Sequence, residues 1–158
     1  MEKTRLAIVR IRGDVGISAD VRKTLKLLRL YKKNYCVIFP STQSILGMLQ
    51  KIKDFVTFGE LDKETFNKLL KARGRLAGNK PLTEDYLKAK TNSDFQKFSD
   101  DFFMFKTELK SIPGLKPFFR LHPPVGGFER LGIKKSFAEG GALGYRGKDI
   151  NKLLQRMI

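Results

Sequence analysis

The chain has 158 residues, with 32 Lys+Arg against 16 Asp+Glu and a formal net charge of +16 at pH 7. That length fits one domain with an appended subdomain and buries roughly 70% of the unfolded surface, so a packed core is expected rather than a disordered basic tail. A folded chain this basic repels itself, which points to a polyanionic partner. Nucleic acid is the commonest such partner and an anionic membrane the second; no membrane is expected here, because Leu6 to Val9 is cut by Arg10 and no window approaches the roughly 20 apolar residues of a span or the core of a secretory signal.

In chain order, Arg5 to Arg12 reads as a strand. Ala7, Val9 and Ile11 share one parity and point to a core, which sets Arg10 and Arg12 on the opposite face. Ser18 is the expected N-cap of a helix to about Tyr31, with Val21, Leu25 and Leu28 as its apolar stripe. Tyr35 to Phe39 reads as a buried strand holding Cys36, the lone cysteine. A single cysteine forms no internal disulfide, which fits a reducing compartment and a small buried filler. Pro40 to Thr42 opens a second helix with Ile45, Met48, Leu49 and Ile52 inward, and Val56 to Leu61 is a third strand. These sixty residues spell β-α-β-α-β with helices over one side of a small sheet.

The middle is expected to be helical. Asp62 caps a helix to Arg73 that stops at Gly74, and Ser93 with Gln96 forms a capping box for the next. Phe95, Phe98, Phe102, Phe105 and Leu109 then recur at helical spacing. Residues 84–109 carry six acidic and four basic side chains, so this Phe stripe reads as core rather than as a platform for stacked bases. Phe118 to His122 reads as a strand, Glu139 to Gly147 as a glycine-rich loop, and Lys148 to Met157 as an amphipathic helix.

Charge is concentrated at the two ends. Residues 1–58 hold twelve basic and four acidic side chains, and residues 110–158 hold ten and three. On the first helix, Arg22, Lys26, Arg29 and Lys33 repeat at one spacing with Lys23 and Lys32 alongside. Only Asp20 is at hand to pair them, which favours phosphate contact over a solvated face. The glycine loop, with Lys134, Lys135, Arg146 and Lys148 around it, reads either as a phosphate cradle or as a flexible connection. Residues 142–149 nearly fit a nucleotide phosphate loop, but Ala142 replaces its first glycine and Asp149 its Mg-binding hydroxyl. Cys36 and His122, the only histidine, do not suffice for a structural zinc site or a nucleophile–base pair. The expectation is therefore a nucleic-acid binder with no enzymatic activity, no cofactor and no small-molecule substrate, and these residues do not choose between RNA and DNA.

The chain resembles the universal large-subunit ribosomal protein of the L-thirty family in its archaeal form, whose eukaryotic counterpart is called L-seven. The resemblance runs through Val21 to Leu28 on the first helix, Phe119-Arg-Leu-His-Pro-Pro124, Gly132-Ile-Lys-Lys135 and Gly140 to Gly147. The first strand begins almost at Met1, without the long basic extension of the eukaryotic form, which favours an archaeal source. Val125 stands where relatives often carry a basic residue.

The resemblance implies an α+β fold. An antiparallel β-α-β-α-β RNA-binding core occupies residues 1–61 and a helical insertion residues 62–112. A returning strand, a basic glycine loop and a terminal helix occupy residues 113–158. It also implies a structural, cytoplasmic component of the large subunit that binds ribosomal RNA. Its position would help hold the 5S ribosomal RNA region to the subunit body, among other large-subunit proteins. Combined with the charge pattern, the expected RNA contacts are Arg10, Arg12, Arg22, Lys23, Lys26, Arg29, Lys32, Lys33, Arg120, His122, Lys134, Lys135, Arg146 and Lys148. The alternative is a free-standing RNA chaperone or nucleic-acid architectural protein.

Overall fold

A computed structural model describes residues 3–158 of the chain. Its strands are β1 (Arg5–Arg10), β2 (Tyr35–Pro40), β3 (Val56–Glu60), β4 (Phe119–Arg120) and β5 (Gly144–Tyr145), in the sheet order β4-β2-β1-β3-β5. β1 is central and pairs antiparallel with both neighbours, with Val9 opposite Cys36 and Arg10 opposite Val56. The segment after residue 113 adds both edges. β4 runs antiparallel to β2, with Tyr35 opposite Arg120, and β5 runs parallel to β3, with Thr57 opposite Gly144. The fold is the expected α+β class, but β4 is shorter than the expected strand from Phe118 to His122.

All six residues of β1 are buried. Helices α1 (Ala19–Leu27) and α2 (Gln43–Ile52) cover one face, where Leu25, Leu28, Ile45, Leu49 and Ile52 pack on Leu6 and Ile8. Ala7, Val9, Cys36 and Ile38 line the other face. It is covered by Phe66, Leu69 and Leu70 of α3 (Lys63–Arg73), by Phe95, Phe98 and Phe102 of α5 (Phe95–Phe103), and by α6 (Ile150–Met157). Between α3 and α5, the short helix α4 (Glu84–Thr91) adds Leu87. The one-sided arrangement therefore holds for the first two helices, and the insertion and terminal helix cover the second face. Among the described residues no helix is long and apolar enough to cross a membrane.

Helix ends follow local chemistry. The hydroxyls of Ser18 and Thr42 accept from the N–H groups of Val21 and Ile45. Helix α1 stops before the expected Tyr31 because Arg29 turns left-handed at φ 61°. The Leu30 N–H then bonds the Leu25 carbonyl at 2.9 Å and the Arg29 N–H bonds that of Lys26 at 3.0 Å, a Schellman ending without glycine. The expected Ser93–Gln96 capping box does not form. Asn92 ends α4 at φ 52° and Asp94 is already the N-cap of α5, so Ser93 sits in the tight turn and donates to the Thr91 carbonyl. The Phe stripe packs in the core through Phe102, whereas Phe105 lies past the helix end at φ 59°.

Arg5 is 4% exposed at the start of β1. Its guanidinium donates to the carbonyls of Phe102 (2.9 and 3.1 Å) and Thr107 (3.3 Å) and lies over the rings of Phe102 and Phe105. Burial lowers its pKa, and the Glu108 carboxylate opposes that shift. This contact ties the end of α5 to the sheet.

Gly59 of β3 lies against the turn Gly147–Asp149, where an added Cβ would come within 2.0 Å of the Gly147 carbonyl oxygen. The Gly59→Ala variant is expected to lose about 1–3 kcal/mol through this overpacking. It should lower the urea midpoint at unchanged m-value, whereas an unchanged midpoint would show that the two segments part freely.

Candidate nucleic-acid interface

The sheet register gathers cations that are far apart in sequence. β1 ends where β2 and β3 begin, Tyr35 lies opposite Arg120, and Gly144 lies beside Thr57. Arg12, Lys32, Lys33, Lys53, Arg120 and His122 therefore cluster at one end of the sheet. The aliphatic stem of Lys33 runs beside Gly13, 3.6 Å from where a Cβ there would stand. Arg12 lies 5.1 Å from the Phe55 ring centroid and donates to the Asp54 carbonyl at 3.3 Å. Lys134 shares a recess of about 270 Å³ with Lys53, and the carboxylates of Asp54 and Glu139 line the same recess. Lys135 is exposed beside it. His122 is exposed just beyond β4, with its backbone N–H on the Met157 carbonyl at 3.1 Å.

Arg22, Lys23 and Lys26 are exposed along α1. Arg22 and Lys26 line a recess of about 400 Å³ together with Asp14 and Tyr31, and Lys23 joins them around a neighbouring one. Arg29 leaves this group. Its left-handed backbone sends it to a different cleft, shared with Leu27, Phe39 and Lys110. Lys148 is exposed on the turn before α6. Among the described residues none of these cations, nor Arg12, Lys32, Lys33 or Arg120, lies within 4.0 Å of a carboxylate. Arg120 is held by the Asn79 side-chain oxygen.

Two expected contact residues are structural instead. Arg10 is 2% exposed and donates to the carbonyls of Arg12 (2.9 Å), Leu30 (2.9 Å) and Tyr31 (3.0 Å) and to the Asp14 carboxylate (2.6 Å). Strand alternation set it opposite Ala7 and Val9, but α1 and the chain after it cover that face too. Arg146 is 5% exposed. It makes a bidentate pair with Glu129 at 2.6 and 3.2 Å and donates to the Thr57 hydroxyl (2.7 Å) and the Ala142 carbonyl (2.8 Å). Neither guanidinium is free to meet a phosphate.

The glycine loop is likewise not an open cradle. The N–H groups of Gly140, Gly141, Ala142 and Leu143 donate to the carbonyls of Phe137, Ser136, Gly132 and Lys135 at 2.8–3.1 Å. Ala142 and Leu143 pack on Ile11 in a small core of their own. Backbone donors used this way are withdrawn from anion binding.

Electrostatics agree with this division. Hydrogen bonding from Arg10, helped by the charges of Arg10, Arg22 and Lys26, holds the Asp14 carboxyl below its usual range. Burial pushes the Cys36 thiol up to about 12, so this buried group stays a neutral filler. Sequence reasoning missed Lys53 and Tyr31. Lys53 lies just past α2, and only the sheet register brings it to the cation cluster. Tyr31 falls where the predicted helix was still running, so its ring had no assigned direction.

Residues 6–56 match the family profile described as Ribosomal protein L30p/L7e. Over nearly its whole length the chain is similar to the large ribosomal subunit protein uL30 of Methanopyrus kandleri, at 52% identity across 94% of this chain and 100% of the relative. It is 51% identical to uL30 of Nanoarchaeum equitans, covering 96% and 97% of the two chains. The figures for uL30 of Methanococcus maripaludis are 47% identity, 96% and 98%.

The Arg146–Glu129 pair predicts a pH dependence. Burial is the largest single influence and raises the Glu129 pKa, but the hydrogen bond and charge of Arg146, a backbone hydrogen bond and the charge of Arg156 together outweigh it and leave the folded-state value below the ordinary 4.5. A depressed acid stabilises the fold above its unfolded pKa and loses that contribution as pH falls through the folded one. The Arg146→Met variant is expected to lose up to about 3 kcal/mol at neutral pH, the low end for a broken buried pair because Glu129 keeps some solvent. Its stability should also fall less than that of the parent as pH drops below 4.5. Parallel pH curves from urea titrations would count against the pair.

Proposed function

The chain belongs to the uL30 family of large ribosomal subunit proteins, and from that membership we propose that it is a structural, RNA-bound component of the large subunit in the cytoplasm. The single observation that carries the RNA-binding reading is the set of surface cations left without carboxylate partners among the described residues at one end of the sheet and along α1. Arg12, Arg22, Lys23, Lys26, Lys32, Lys33, Arg120, Lys134, Lys135 and Lys148 are the proposed phosphate contacts, with Arg29 and His122 at the margin. Their mechanism is electrostatic: each cation that meets a phosphate releases condensed counterions, and the rigid sheet fixes the spacing between RNA segments that it touches.

Cations on α1 and the cations at Lys134 and Lys135 come from segments far apart in the chain. Bridging two RNA segments with them would fix the segments relative to each other. We place this bridge beside the 5S ribosomal RNA, next to other large-subunit proteins, a position supported by the family resemblance. The free-standing chaperone reading lacks an observation of its own.

If about 6–10 phosphates are contacted, affinity for naked large-subunit RNA should fall on the order of 10³–10⁵-fold between 50 and 200 mM salt. A flat salt response in a filter-binding titration would contradict the electrostatic mechanism. In cell extracts the chain should sediment with large subunits at one copy each, and recovery on a mixed pool of RNAs would support the chaperone instead. Large subunits depleted of the chain should release 5S RNA at lower salt than complete ones; unchanged release would remove the 5S role and leave the subunit assignment standing.

A further inference from the structure

We propose that the recess beside Tyr31 holds one unpaired nucleotide of the RNA, with its base stacked on the Tyr31 ring and its phosphate between Arg22 and Lys26. This deepens the RNA-binding reading and rests on it.

Tyr31 is 45% exposed and walls the recess of about 400 Å³ that Arg22 and Lys26 also line. Its ring meets Phe118 edge-on, at 5.7 Å and 85°, and Phe118 in turn stacks on Tyr35 at 5.2 Å and 9°. Buried Arg10 holds the carbonyls of Leu30 and Tyr31 at 2.9 and 3.0 Å. The ring is thus braced from the side and its backbone is pinned from below, so stacking a base on it orders little that is not already ordered.

Charge favours a nucleotide over an acidic peptide or a neutral apolar partner. Asp14 is the one carboxylate lining the recess, and its Oδ1 lies 2.6 Å from the Arg10 guanidinium. Arg22 and Lys26 feel the Asp14 charge only at longer range, and among the described residues neither has a carboxylate within 4.0 Å. An aromatic face flanked by cations suits a base and its phosphate together, which is how unpaired nucleotides are generally held. A fully paired helix would offer the phosphates but no free base face.

The chain contains no tryptophan, so a Tyr31→Trp variant carries a single reporter. Its fluorescence should be quenched when purified large-subunit ribosomal RNA is added. The control is Met104→Trp, on the exposed surface after α5, which should stay bright. Replacing Tyr31 by Ala should weaken RNA binding by about 5- to 150-fold, the usual effect of removing one stacking aromatic. The salt dependence should not change, and Tyr31→Phe should bind like the parent. An unquenched Tyr31→Trp variant in a complex that still forms would overturn the stacking site and leave the RNA-binding reading intact. Parent affinity in Tyr31→Ala would do the same, as would quenching by a poly-glutamate peptide but not by RNA. Absence of RNA binding by the parent chain would overturn both.

Discussion

Three buried arginines donating to backbone carbonyls hold the separate parts of this fold on one sheet. Arg5 grips carbonyls in the last turn of α5 and just past it, Arg10 grips those of the chain leaving α1, and Arg146 joins the C-terminal segment to Thr57 of β3. A buried guanidinium is costly unless its donors are met, so each position dictates where its partner segment must lie. The central strand carries two of the three, one on each face. That is why helices from the insertion and from the first sixty residues close on it from opposite sides.

This use of arginine divides the basic side chains into two classes. Buried ones are satisfied by carbonyls and, for Arg10 and Arg146, by a carboxylate at 2.6 Å. Those on α1 and at the end of the sheet have no such carboxylate among the described residues, and they keep their charge for a partner. The acidic insertion spends its charges locally, as in Lys63–Asp100 and the Lys88 pairs with Glu84 and Asp94. Exposed pairs of that kind contribute little stability, but they keep this surface from competing for the same polyanion. Self-repulsion is thus concentrated on the surface that an RNA would neutralise.

The β-α-β-α-β order was legible because Ala7, Val9, Leu25 and Leu49 follow the periods of strand and helix, and Ser18 marks a start in plain chemistry. Phe98 and Phe102 were rightly read as core, since their helical spacing lies in an acidic segment. Arg10 and Arg146 were not legible as structural, because strand alternation gives a direction but says nothing of what covers that side. Arg29 escaped as well. An arginine seldom adopts φ 61°, so no local signal marked it as the end of α1. The glycine loop misled for the opposite reason: Gly141 is needed because its Cβ would lie 2.2 Å from the Lys135 carbonyl, a packing demand that resembles a phosphate cradle in sequence. The gathering of Lys53 with Lys134 depends on strand register and becomes visible only in three dimensions.

The central claim is that unpaired surface cations, and not the basic residues at large, face the ribosomal RNA. Lysine acetylation footprinting, comparing the free chain with the chain in intact large subunits, tests it most directly. The account predicts strong protection of Lys23, Lys26, Lys32, Lys134 and Lys135, with the carboxylate-paired Lys63, Lys68 and Lys88 as reactive as in the free chain or shielded only by neighbouring protein that nuclease treatment leaves in place. Protection centred on the insertion and lost on RNA digestion, with the α1 lysines still reactive, would contradict it.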